Sequence, residues 1–170
     1  QATSLKTFQT LSADLQQLTV EQGRASTGLQ SLRDQLDAQV AATDNLRAAQ
    51  VGAREEMISA RETMQSNKDA LRLLVAETSA AGKTEQSYVA QRALLTTKIA
   101  ESAVAFRTSK DALADATREV SAAVQVQTNL TTKVDASARA VDNLSRALAG
   151  QQEDFNTAKA AAEQLGVATT

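Results

Sequence analysis

The sequence predicts an all-α protein: a long antiparallel coiled-coil helical hairpin of two helices of about 80 residues each, packing into a multi-helix assembly. Three observations predict it. One heptad register of apolar residues runs from Phe8 to Leu165, it fails at a single place near the midpoint, and the 170 residues hold no Pro, Cys, His or Trp, with three Phe and one Tyr as the only aromatics. A conventional globular core is not expected from such a chain; Ala supplies much of its 42% hydrophobic content, and Ala buries little area per residue.

The first arm is expected over residues 3–81. Its a positions read Phe8, Leu15, Gln22, Leu29, Leu36, Thr43, Gln50, Met57, Met64, Leu71 and Thr78, and its d positions include Leu11, Leu18, Leu32, Leu46 and Leu74, with Ala at most others. Such a stripe is the seam of a left-handed supercoil. Gly23 and Gly28 are expected to soften this arm. The turn is expected at residues 82–84. There Gly82 suits the position just past a helix end, Thr84 the next N-cap and Glu85 the following first turn. The second arm is expected over residues 85–166, with Ile99, Phe106, Leu113, Val120, Gln127, Val134, Val141, Leu148, Phe155 and Ala162 at a, and Gly166 as its stop. Glu85 and Arg92 occupy two further a positions, which is tolerable beside a loop and costly inside a seam.

The fold-back makes its own test. In an antiparallel pair a faces d, and a turn near Gly82 makes facing numbers total about 166. The partners are then Leu71 with Leu95, Leu46 with Val120, Leu36 with Leu130, Leu32 with Val134, Leu18 with Leu148 and Leu11 with Phe155. Large meets small at Ala60 with Phe106, Ala53 with Leu113 and Phe8 with Ala158, which evens the layer volumes. Asn67 against Ile99 and Gln22 against Leu144 are poorer layers. Each arm would be roughly 115 Å long, and the rival architecture is one unbroken helix of about 250 Å paired with a second chain.

Two apolar features lie off the seam. Near the turn, Leu73 and Leu94 join Val75 and Val89 around Tyr88, forming a candidate tip contact or a local packing cluster. Along the shaft, Val51 and Ile58 occupy successive b positions, and g positions of arm two carry Ala105, Ala112, Val126, Ala140 and Ala147. Small residues at g admit another helix closely, so these seven form a candidate self-assembly face. Arg33, Arg47, Arg54, Arg61 and Lys68 make a basic line at e positions, suited to a solvated flank or an acidic neighbour.

The composition bounds chemistry more sharply than it identifies it. Without His or Cys there is no imidazole base, thiol nucleophile or Cys/His zinc site, so no enzyme, cofactor or metal is expected. Glu55, Glu56 and Glu62 near Arg54 and Arg61 are expected to form solvated ion pairs at i,i+3 and i,i+4 spacing. Gly82-Lys83-Thr84 matches the end of a phosphate-binding loop, but the chain has Glu77 where that pattern needs Gly, and no strand precedes it. Asn129 and Asn143 stand in N-glycosylation triplets inside predicted helix.

Partners are bounded in the same way. A net charge of -2 and few aromatics argue against nucleic acid, and no run approaches the roughly 20 apolar residues of a membrane span, so a soluble chain is expected. It begins at Gln1, as a mature protein or an excised fragment would. A surface rich in Ser, Thr, Gln and Ala suits an extracellular, envelope or virion-surface fibre.

The expected function is therefore a structural, self-assembling subunit of a filament, sheath or surface fibre whose first partner is itself. The alternative is a spacer whose tip docks another protein. In that architecture the chain resembles the hairpins of bacterial periplasmic adaptor proteins of efflux and secretion systems. The resemblance implies a partner at the tip; it does not extend to the flanking lipoyl-like half motifs, which are missing, or to an Arg, Leu and Ser tip pattern, which Arg72, Ala76 and Ser79 do not meet. An amphipathic lipid-surface coat would need a broader apolar face than this a/d stripe.

Overall fold

A computed structural model of the chain describes residues 2–81, 86–164 and 166, with side chains given from Lys6 to Ala80 in the first helix and throughout the second. Helix α1 spans Ala2–Ala81 and helix α2 spans Gln86–Gln164, and the two pack as an all-α helical hairpin. Residues 82–84, Glu85 and Leu165, which carry the expected turn, its cap and one seam position, lie outside the described residues. Gly23 and Gly28 do not interrupt α1. Helix α2 is described as far as Gln164, and the expected boundary beyond it falls partly outside the described residues. Gly166 has φ +68°, and its N–H donates to the Glu163 carbonyl at 3.1 Å, a left-handed cap that glycine adopts without a Cβ penalty.

Helices so rich in Thr and Ser need a reason to persist. The packed seam supplies it, while the hydroxyls are satisfied by folding back on the preceding turn: Thr19 donates to the Leu15 carbonyl at 2.7 Å, Thr78 to Leu74 at 2.7 Å and Thr117 to Leu113 at 2.8 Å. Satisfied in this way, they cease to compete for the helix's own amides. Glutamines add i,i+4 bonds to carboxylates, as from Gln17 to Glu21 and Gln65 to Asp69.

Burial follows the heptad closely. In α1 every described a and d residue is buried or half-buried; in α2 the same holds except for Arg92, which is exposed at its a position. Arg92 thus escapes the seam, as expected beside a chain reversal. Off the seam, the half-buried residues fall almost wholly at e positions, such as Ser26, Val40, Lys68, Ala103, Ala138 and Ser145. The e flank therefore tucks inward while the g flank stays open.

The chain divides into two compact units, residues 1–39 with 126–170 and residues 40–125. In the terminal unit, Leu29 and Ala162 are buried, and the rings of Phe8 and Phe155 meet at 4.8 Å between centroids with a 32° tilt. That contact joins the two adjacent expected layers, Phe8 with Ala158 and Leu11 with Phe155, which lie about 4.5 Å apart along the seam. Both rings reach along the seam, since a tilted aromatic pair is worth about 0.5–1.5 kcal/mol beyond its area. Gln22, a poor seam residue, reaches Ser145 Oγ at 3.5 Å.

In the middle unit, Thr43 is fully buried and Ala123, whose number totals 166 with it, is buried too. Gln50 Nε2 donates to Thr117 Oγ1 at 2.9 Å. Asn67 Nδ2 approaches Ser102 Oγ at 3.4 Å, and that hydroxyl donates to the Lys98 carbonyl at 2.6 Å. The polar layer is thereby closed. Cross-helix contacts total 163 at Phe8 with Phe155, 167 at Gln50 with Thr117 and 169 at Asn67 with Ser102, which brackets the register of about 166 derived from the turn.

Two substitutions test this seam by thermal unfolding. Thr43→Leu overfills the tightest layer and should cost about 1–3 kcal/mol; a neutral result would mean that the layer is loose. Gln151 sits at a d position with its Oε1 buried and without a hydrogen-bond partner. Gln151→Leu should therefore stabilise by about 1 kcal/mol, and a loss of stability would contradict the register.

Candidate functional site

The heptad decides which surface each exposed side chain occupies. At about 100° per residue, e and b lie on one flank of the seam and g and c on the other, and antiparallel pairing sets e beside e and g beside g. Contacts agree with that placement. Gln50 reaches Thr117, an e residue, whereas Thr63, Lys98 and Ala105, all at g, line one groove together. The middle unit thus has two unlike broad faces, an e/b face and a g/c face.

The g/c face carries two open grooves. One, of about 470 Å³, is lined by Ala60, Thr63, Asn67, Lys98, Ser102 and Ala105. The other, of about 340 Å³, lies nearer the end of α1 and is lined by Ala70, Leu73, Leu74, Leu94 and Leu95 with polar rim residues. Leu73 is 64% exposed and Leu94 56% exposed, more than their place beside a seam requires.

These faces separate residues that the sequence grouped. Val51, 56% exposed, and Ile58, 42% exposed, stand on the e/b face, whereas Ala105 and Ala112 are exposed on the g/c face. Val126, Ala140 and Ala147 are exposed at g positions of the terminal unit. The candidate assembly residues therefore do not form one face. The tip set divides too: Leu73 and Leu94 line the groove, Val75 and Val89 are exposed at e positions, and Tyr88 is half-buried at d. Gly82, Lys83 and Thr84 lie outside the described residues, so the phosphate-loop fragment has no geometry here. Asn129 and Asn143 are exposed on α2.

Sequence reasoning passed over Val104 and Val20, both more than half exposed. They occupy f positions, farthest from the seam, where a β-branched apolar residue has no partner within its own hairpin. That position was the available signal.

Charge completes the division. On the e/b face of the middle unit stand Arg47, Arg54, Arg61 and Lys68 at successive e positions. Arg72, Arg107 and Lys110 join them, against Asp44 alone among acids. The g/c face carries Glu56, Glu77, Glu101, Asp115 and Glu119 against Lys98 alone. A near-neutral chain thus conceals a basic face and an acidic one.

The expected ion pairs of Glu55, Glu56 and Glu62 with Arg54 and Arg61 are not among the pairs formed by the described residues. Those run from Arg47 to Asp44, Arg72 to Asp69 and Arg118 to Asp115 in this unit, and from Arg146 to Asp142 and Lys159 to Glu163 in the terminal one. The reason is spacing: these glutamates and arginines stand one, two, five, six or eight residues apart in sequence, and never three or four. Arg54, Arg61, Lys68 and Lys110 have no carboxylate three or four residues away on their own helix, and Glu56, Glu77 and Glu119 have no cation there.

Among the described residues no cluster of three or more metal-ligating side chains is present, and no helix is long and apolar enough to cross a membrane. No protein-family model and no curated protein matches the chain.

Because Arg54 and Arg61 lack local partners, they should contribute little to the hairpin itself. Arg54→Gln with Arg61→Gln should shift the unfolding free energy of dilute protein by no more than about 0.5 kcal/mol. A loss several times larger would assign them to the fold and remove them from any docking surface.

Proposed function

We propose that the chain is a structural, non-enzymatic subunit that assembles with copies of itself into a filament, sheath or surface fibre of an extracellular, envelope or virion-surface kind. One observation carries the reading: aliphatic side chains stand exposed along the helices where the hairpin has no use for them. Val51, Ile58 and Val104 in the middle unit are 42–63% exposed. Monomers scatter single apolar residues over their surfaces without consequence. Here Val51 and Ile58 are seven residues apart at equivalent positions, so they make a repeating ridge, which is what a neighbouring helix would meet. The grooves between small residues on the opposite face supply the matching shape.

The leucine-lined groove near the end of α1 favours a second reading, a hairpin whose tip holds another protein. Leu73 and Leu94 would be its anchors.

The two readings separate by mutation. Val51→Glu with Ile58→Glu should abolish higher assembly in sedimentation velocity and leave the far-ultraviolet helical signal intact, since both residues are exposed. Assembly that persists would sink the structural reading. Leu73→Ser with Leu94→Ser should spare assembly under that reading; loss of a bound protein partner by this variant, with assembly never observed for the wild type, would support the tip instead.

A further inference from the structure

We infer that copies of this chain stack broad face on broad face through residues 40–125, the basic e/b face of one copy lying on the acidic g/c face of the next. The inference rests on the self-assembly reading and adds its surface, polarity and driving interaction.

Three observations carry it. First, the charges that no local partner answers are sorted by face: Arg54, Arg61, Lys68 and Lys110 on one side, Glu56, Glu77 and Glu119 on the other. Their own hairpin does not answer them either, because antiparallel register sets Arg54 beside Lys110 and Glu56 beside Ala112. Like charges held side by side repel by about as much as an opposite pair attracts, so the arrangement gains only when an acidic surface arrives from outside.

Second, the relief is complementary. Val51 and Ile58 protrude on the basic face, whereas the acidic face offers Ala49, Gly52, Ala105 and Ala112, all lacking a side chain beyond Cβ. Ridges of one copy therefore meet grooves of the next.

Third, the repeats coincide. Successive e arginines rise by about 10.5 Å per heptad. By the register, Glu119 lies at the level of Ala49 and Glu56 one heptad further, close to the levels of Arg47 and Arg54. Copies stacked without axial shift thus bring acids near arginines at a matching interval. The terminal unit shows no such sorting: there acids outnumber cations on both faces, which confines the contact to the middle unit.

A contact between two different faces is heterologous. Each copy keeps one basic and one acidic face free, so addition continues until it closes as a ring or runs on as a filament.

The test uses two charge-reversed chains. One carries Arg54→Glu, Arg61→Glu, Lys68→Glu and Lys110→Glu, which leaves both faces net acidic; the other carries Glu56→Lys, Glu77→Lys and Glu119→Lys, which leaves both faces net basic. Circular dichroism checks that each is helical, and light scattering reads mass against concentration. Neither chain alone should grow beyond the monomer, whereas their equimolar mixture should regain growth well past the dimer. Wild-type assembly should also weaken as ionic strength rises from about 0.05 M to about 0.5 M, where the screening length falls to roughly 4 Å.

A wild type that assembles while both reversed chains assemble equally well overturns the face-to-face contact and leaves self-assembly standing. A mixture that stops at the dimer overturns the heterologous arrangement. A wild type that stays monomeric at every concentration and instead binds duplex DNA or heparin overturns both readings and gives the basic face to a foreign polyanion.

Discussion

The hairpin depends on one narrow stripe of side chains. Each a or d residue is mostly half-buried, with Leu29, Thr43, Ser102, Ala123 and Ala162 the buried ones among the described residues. Full burial of a Leu or Val is worth about 1.5–3 kcal/mol, so a half-buried layer contributes less, and stability accumulates by repetition. Local propensity permits the helices, through the absence of Pro and the abundance of Ala, but it does not make them meet. The seam does that, and it leaves most described positions off the a/d stripe exposed.

What stands on that outer surface follows from the direction of pairing. In a parallel pair e would face g, and opposite charges at those positions would serve the pair itself. Antiparallel pairing sets the basic e line beside e residues that are Val, Thr, Ala and Lys, and leaves it unanswered. The same arrangement gathers acids and small residues on the other flank. A chain with a net charge of only -2 thereby carries two opposed faces in one unit, and the exposed Val51 and Ile58 sit among the cations. Sorted charge of this kind sets like charges side by side, which is unfavourable in a lone molecule.

The architecture was legible in the residues because the heptad constrains every seventh position over both helices. The total of about 166 follows from the turn alone, and contacts such as Gln50 with Thr117 obey it. The aromatic pair was less legible: the register places Phe8 and Phe155 in adjacent layers, and only the side-chain rotamers decide that the two rings meet. The candidate assembly residues are exposed, but they stand on two flanks and in two units rather than on one face. Heptad letters fix an angle on one helix, whereas sharing a face also depends on which flank the partner helix turns toward it. Ion pairs around Glu55, Glu56 and Glu62 failed for a simpler reason, since neighbours in sequence point 100° apart on a helix.

Antiparallel pairing is the claim from which both faces derive, and the absence of Cys makes it directly measurable. Cysteines placed at Asn45 and Ala122, exposed c positions of the middle unit, can carry spin labels for a dipolar distance measurement in an excess of unlabelled chain. Helices packed about 10 Å apart in this register predict a distance of roughly 15–30 Å, allowing for the label arms. A continuous helix would set the two sites about 115 Å apart, beyond the range of the method, and loss of the short distance would contradict the account.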